Sequence, residues 1–139
     1  MKKFIFYIIF CFLTQAYGQE LIVESGSLSV GQNTIISLQQ TSITNNSNIV
    51  SDSSGTINLV GGNLPIEIGG SSVIHAGNIK IGGNCSLNTN LDISRNIYFN
   101  SGIFDLNNSD IALGGFLSGE TEQTRAFSSG VGRIIKKID

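Results

Sequence analysis

Short aliphatic pairs with one residue between them recur through the second half of the chain: Ile79-x-Ile81, Cys85-x-Leu87, Leu91-x-Ile93, Ile97-x-Phe99 and Ile111-x-Leu113. The first four begin every sixth residue, and Asn and Gly fill the gaps between them. Alternation within each pair is that of a strand whose first and third side chains share a face. A beat of six is too short for hairpins and does not fit a helical stripe. It suits the sides of a coiled parallel sheet, where each short strand turns one aliphatic pair inward and then bends. On a larger scale, Ile66-Glu67-Ile68-Gly69-Gly70, Ile79-Lys80-Ile81-Gly82-Gly83 and Ile111-Ala112-Leu113-Gly114-Gly115 are variations on one phrase. Gly-Gly-Asn recurs at 61–63 and 82–84, and the steps Ile79 to Ile97 and Ile93 to Ile111 are each eighteen residues. A repeat of this length marks a solenoid in which each coil stacks on the last. The pattern therefore predicts an all-β, right-handed parallel β-solenoid (β-helix) of about four to five short coils. The competing architecture, an antiparallel sandwich, would show longer strands spaced by about 8–12 residues with dedicated two-residue turns.

Earlier in the chain the strand candidates are Leu21 to Glu24, Ser27 to Val30, Thr34 to Leu38, Asn48 to Val50, Thr56 to Val60 and Leu64 to Ile68. Gln39 to Asn48 is polar, with Ile43 as its one expected inward residue, so this side is weakly specified. Asp52-Ser53-Ser54-Gly55 and Gly61-Gly62-Asn63 read as sharp bends whose Gly and Asn residues tolerate positive φ. Pro65 lacks a backbone donor and is expected at a corner or beside an unpaired edge. The abundant Asn residues are candidates for stacking on equivalent positions in neighbouring coils, satisfying one another's amides. The alternative is that they are solvated in loops.

Residues 1–18 have the form of a signal peptide. Lys2 and Lys3 form a positive start, Phe4 to Leu13 an apolar run, and Ala16-Tyr17-Gly18 a small-x-small cleavage site before Gln19. The apolar run is too short for a stable membrane span. Cys11 follows bulky Phe10, which argues against lipid attachment there. Cleavage would leave Cys85 as the one cysteine, so the mature chain would have no internal disulfide. Without Lys2 and Lys3, six Lys and Arg remain against ten Asp and Glu, scattered enough that no nucleic-acid or anionic-lipid partner is indicated. The domain reading is a signal peptide over 1–18, a solenoid over 19–115, and a terminal strand and turn segment over 116–139. That last segment holds the charged run Ser118 to Arg125 and a bend over Phe127 to Gly132. The pattern breaks off there, as in a truncated frame, without an obvious polar cap. Self-association through this uncapped coil is therefore expected as one outcome.

Residues with chemical potential are few. His75 is the single histidine and reads as a surface group; with Cys85 as its one thiol companion it does not make a zinc set. Cys85 occupies an inward position and reads as a small buried hydrophobe. Asp92, Asp105 and Asp110 with Arg95 are the residues from which an acid/base or calcium-assisted cleft would be built, since polysaccharide-cleaving enzymes are often parallel β-helices. Asp92 and Arg95 lie around a turn, however, and Asp105 and Asp110 fall at strand edges or corners. No Gly-Gly site continues into a calcium-coil nonapeptide, and phosphate-binding and dinucleotide fingerprints are absent from the sequence. The sequence thus assigns no catalytic, cofactor or metal residues.

Gly55-Thr56-Ile57-Asn58-Leu59, Leu91-Asp92-Ile93, Ile103-Phe104-Asp105-Leu106-Asn107 and Gly119-Glu120-Thr121-Glu122-Gln123-Thr124-Arg125 together resemble a Bacteroidetes secreted-protein family. Its members are similar to autotransporter-type adhesin heads, with a signal peptide, a short parallel β-helix, further domains and a C-terminal type IX secretion sorting domain. The resemblance covers most of residues 20–135, and the sorting domain has no counterpart in this sequence. It implies an exported structural or adhesin-like protein, periplasmic, cell-surface or extracellular, and it supplies no catalytic residues. The expected role is non-enzymatic presentation of a polar surface to glycans or other cell-surface components, without a cofactor and without membrane contact after signal cleavage. The alternative is a carbohydrate-active β-helix of lyase or hydrolase type.

Overall fold

A computed structural model describes residues 19–138; the signal-peptide reading of 1–18, Cys11 included, lies outside the described residues. Seventeen short strands, numbered in chain order, build three parallel sheets. Sheet A joins β1 (Gln19–Val23), β4 (Thr41–Asn45), β7 (Ile66–Gly69), β10 (Cys85–Leu87), β13 (Ile103–Asp105) and β16 (Arg125–Phe127). Sheet B joins β2 (Ser27–Val30), β5 (Asn48–Ser51), β8 (Ile74–Ala76), β11 (Leu91–Ile93), β14 (Ile111–Leu113) and β17 (Ile134–Lys136). Sheet C joins β3 (Ile35–Gln39), β6 (Thr56–Val60), β9 (Asn78–Gly82), β12 (Ile97–Ser101) and β15 (Leu117–Ser118). Each inner strand pairs with the strands three before and three after it, so the chain winds A, B, C and repeats. This is a β-solenoid of about six turns. The count exceeds the expected four to five because the stacking begins at β1 and continues through β15, β16 and β17, which extend sheets C, A and B.

The sixfold beat is one side of the coil. Ile79-x-Ile81 lies in sheet C, Cys85-x-Leu87 in A, Leu91-x-Ile93 in B, and Ile97-x-Phe99 returns to C. Ile79 therefore faces Ile97 across one full turn of eighteen residues. The second eighteen-residue step is different: Ile111 pairs with Leu91, and Ile93 pairs with Leu113. Corners vary in length, and the widest turn sets Ile43 opposite Ile68, twenty-five residues on. The recurring Ile-x-Ile-Gly-Gly phrase occurs once on each sheet, at β7, β9 and β14, so it encodes a strand and its corner.

Inside, equivalent residues stack in columns. Ile57, Ile79, Ile97 and Leu117 form one in sheet C, with Leu59, Ile81 and Phe99 beside it. Ile49, Ile74, Leu91, Ile111 and Ile134 form another in sheet B. A single coil could not shelter these side chains from above and below; its neighbours do so. The polar stretch after Gln39 is also a strand. In β4, Thr41, Ile43 and Asn45 all turn inward. Asn45 is 0% exposed, and its Nδ2 donates to the carbonyls of Ser72 and Val73 on the next coil. Burial of the amide is tolerated because its donors are matched.

Five further asparagines bond to the main chain of the next coil, and do not stack amide on amide. Oδ1 of Asn46, Asn84, Asn90, Asn96 and Asn108 accepts the main-chain N–H of Ser71, Ile103, Asp110, Phe116 and Val131 respectively, each one coil on. An exception is Asn107, whose Nδ2 donates to Asn88 Oδ1 as well as to Ser86 Oγ and the Leu87 carbonyl. Corners break the ladder of strand hydrogen bonds, and the asparagine amide restores a bond there.

Glycine in the recurring Gly-Gly-Asn corners serves close approach. Positive φ occurs at Gly26, Gly70, Gly102 and Gly119 and at Asn33, Gln40 and Asn107, but not at the bends 52–55 or 61–63 where it was expected. A Cβ on Gly61 would lie 2.5 Å from Gly83 Cα, and one on Gly83 would lie 2.4 Å from Gly61 Cα. The two coils touch main chain to main chain. Pro65 stands at the corner before β7, a strand paired on both sides, so the corner placement applies and the edge placement does not.

Truncating a central column should cost far more than truncating a corner. Ile81→Ala is expected to lower unfolding stability by about 2–5 kcal/mol. Leu64→Ala, at an exposed corner, should change it by about 0.5 kcal/mol or less. Chemical denaturation followed by far-UV circular dichroism measures both.

Candidate functional site

Outward positions form their own columns at strand spacing. On sheet B, Val50, His75, Asp92, Ala112 and Ile135 stand in one line. His75 Nδ1 lies 3.4 Å from Asp92 Oδ2, and Lys137 Nζ bonds to Asp92 Oδ1 from two coils away. Asp92 is thus a tie between coils. Asp110 is another: its Oδ1 accepts the N–H of Arg133, while its own N–H donates to Asn90 Oδ1. It occupies the corner role that asparagine fills one coil earlier. Arg133 Nη2 adds a 2.9 Å bond to Asp110 Oδ2, and this guanidinium contact holds the carboxyl below its ordinary pKa. Arg95 makes no ion pair among the described residues; its N–H donates to the Gly77 carbonyl.

Asp105 belongs to a different face. On sheet A the outward line runs Glu20, Ser42, Glu67, Ser86, Asp105 and Phe127. Burial works against the ionised form of Asp105, but N–H donation from Ser129 and Asn107 outweighs it and leaves the pKa lowered. Asp105 lines a shallow hollow of about 290 Å³ together with Pro65, Asn84, Ser86, Ile103 and Phe127, floored by Cys85. This hollow is the candidate site. It offers an aromatic ring 41% exposed, a carboxylate fixed by main-chain donors, a serine hydroxyl and an asparagine whose amide Oδ1 is already committed. Such a set suits the apolar and hydroxyl faces of a sugar ring.

The three aspartates singled out in the sequence are therefore not gathered into one cleft: Asp92 lies on sheet B, Asp110 at the corner leading into it, and Asp105 on sheet A. The residue missed was Glu67. It lies two strands from Asp105 with Ser86 between them, a separation of about 9.6 Å at strand spacing. Its signal was its place in the Ile66-Glu67-Ile68 phrase, where the middle residue must point outward. Among the described residues, no three His, Cys, Asp or Glu side chains are placed to hold a metal ion. His75 is outward on sheet B and Cys85 inward on sheet A, so the two do not meet. Burial of Cys85, 2% exposed, pushes its thiol pKa up to about 12.

No protein-family description, curated protein or solved structure matches the chain.

Two solution behaviours follow. Asp52, Asp105 and Asp110 all have folded pKa values below the ordinary 3.8. Their stabilisation is complete above the unfolded value and is lost as pH falls through the lower folded values. Stability should be level from about pH 7 to 5 and decline below about pH 4. The decline should be shallower in Asp110→Asn, as read by urea unfolding across pH. Separately, Cys85 should resist iodoacetamide in the native state and label only at the rate of unfolding, which mass spectrometry detects.

Proposed function

We propose that this chain is an exported, non-catalytic β-solenoid that presents its outer faces to glycans or other surface components, in an adhesin-like or structural role. The observation that carries this reading is the hollow on sheet A, where Phe127 stands beside Asp105, Ser86 and Asn84 on a rigid parallel sheet. Strand-borne groups are held in place before a ligand arrives, which lowers the ordering cost of binding. The signal-peptide form of residues 1–18 and the resemblance to Bacteroidetes secreted adhesin-like proteins support export. They also support a periplasmic, cell-surface or extracellular destination.

The second reading, a carbohydrate-active β-helix, draws on Glu67 and Asp105 sharing one face. Their spacing falls near the upper limit, about 9.5 Å, for an inverting carboxylate pair. Against it, main-chain donors hold Asp105 ionised with a lowered pKa, which suits the base of such a pair and not its acid.

The test is a panel of immobilised neutral and acidic polysaccharides, with binding read by interferometry and product release by reducing-end assay. Binding without product is expected. Phe127→Ala should weaken it by about tenfold or more, in line with loss of a central aromatic contact, while Asp105→Asn should weaken it less. Product that disappears in Asp105→Asn would replace this reading with the enzymatic one. Absence of binding to the whole panel would remove the glycan part.

A further inference from the structure

The sheet A hollow has a definite arrangement of donors, acceptors and charge. Ser86 pairs with Asp105, and Asp105 with Phe127, so the three stand in one outward line at successive strand positions. From Ser86 to Phe127 that line spans about 9.6 Å at strand spacing. Oδ1 of Asp105 takes the N–H groups of Asn107 and Ser129, each at 2.9 Å, while its Oδ2 takes no hydrogen bond among the described residues. Ser86 Oγ accepts Nδ2 of Asn107 at 2.8 Å, and its own hydrogen has no acceptor among the described residues. Asn84 Oδ1 accepts the N–H of Ile103 at 3.0 Å, and its Nδ2 is likewise without an acceptor among them. The hollow therefore presents two neutral donors, one carboxylate acceptor and the exposed ring of Phe127.

Its charge is of one sign. Burial opposes the ionised form of Asp105, but the Ser129 and Asn107 donors outweigh it, so the carboxylate is charged at neutral pH. No Lys, Arg or His lines the hollow. The strands of sheet A carry three carboxylates, Glu20, Glu67 and Asp105, against one cation, Arg125. Arg125 stands opposite Ile103 and makes no ion pair among the described residues. The corner leading to it adds two more acids, Glu120 and Glu122.

We propose that the hollow selects its glycan by charge, taking the hydroxyl-bearing ring of a neutral glycan and rejecting acidic ones, with Asp105 as the specificity-determining residue. This inference rests on the reading of the hollow as a glycan site. A sugar hydroxyl both donates and accepts. Neighbouring hydroxyls of one ring can satisfy Asp105 Oδ2, Ser86 and Asn84 together, while the C–H face of the ring covers Phe127. The bond to Asp105 is then charge-assisted, which favours the neutral ligand. An ionised carboxylate on the sugar only accepts. It could engage the two donors, but it would leave Asp105 without a partner and set two like charges side by side.

The test compares soluble neutral glucan, mannan and galactan with the same polymers after oxidation of their primary hydroxyls to carboxylates. Binding to the native protein is read by interferometry at neutral pH. At least one neutral polymer is expected to bind, and its oxidised form to bind about tenfold or more weakly. Added salt should leave the neutral polymer bound and narrow the gap, because it screens the repulsion. Asp105→Asn should act on the two forms in opposite directions, weakening the neutral polymer and strengthening the oxidised one. Damage to the fold would weaken both, so the opposite signs separate selection from structure. Glu67→Gln, one coil beyond Ser86, should narrow the gap by less. Oxidised polymers that bind as well as their neutral parents overturn the inference and leave the glycan reading standing. A gap that persists undiminished in Asp105→Asn overturns it in the same way. Absence of binding to every polymer, neutral and oxidised, overturns both.

Discussion

Successive coils in this protein are held to one another by main-chain hydrogen bonds, and strand spacing fixes the distance between them. At about 4.8 Å per coil, a side chain has no room to lie across its neighbours, so equivalent positions must carry groups that tolerate being stacked on their own kind. Aliphatic columns meet that condition inside, and single hydroxyls, amides and carboxylates meet it outside. At corners the chain leaves the strand conformation and its amides lose their regular partners. There, asparagine Oδ1 atoms take N–H groups from the next coil, and glycines such as Gly61 and Gly83 allow bare main chains to touch. The polar content that keeps helices out of this chain is the same content that lets its corners stack.

This division explains what could be read in advance. The columns of sheets B and C were legible because Ile, Leu and Val alternate there with polar residues over several successive turns. β4 was not, because two of its three inward residues are Thr41 and Asn45. Hydropathy places both outside; hydrogen-bond geometry places them inside, and only the neighbouring coil supplies the Ser72 and Val73 carbonyls that make this possible. The same dependence on a neighbour hid the register of Ile93, since an eighteen-residue step is correct for one side of a turn and wrong where a corner takes two residues more. Asp110 looked like a candidate acid in isolation. Its place above Asn90 shows it filling a corner bond.

Chemistry on the faces is weakly tied to the fold. Outward residues on one strand touch their column neighbours and solvent, so a substitution at Glu67 or Ser86 has few routes into the core. The hollow on sheet A lies where the corners holding Pro65 and Asn84 meet the sheet that carries Asp105 and Phe127.

The three-sided winding also sets an arithmetic on sequence length. Corners accommodate added residues without a change of face, as the longer turn from Ile43 to Ile68 does. Insertion of one whole side, a strand with its corner, would act differently. Every strand downstream would shift to the next face, sending the Asp92 tie from sheet B to sheet C and the Asp105 hollow from A to B while leaving each aliphatic pair inward. Only gains or losses of three sides at a time preserve which groups share a face. Changes in the length of this rod are therefore quantised in whole coils, and intermediate lengths would keep the core yet scramble the surface.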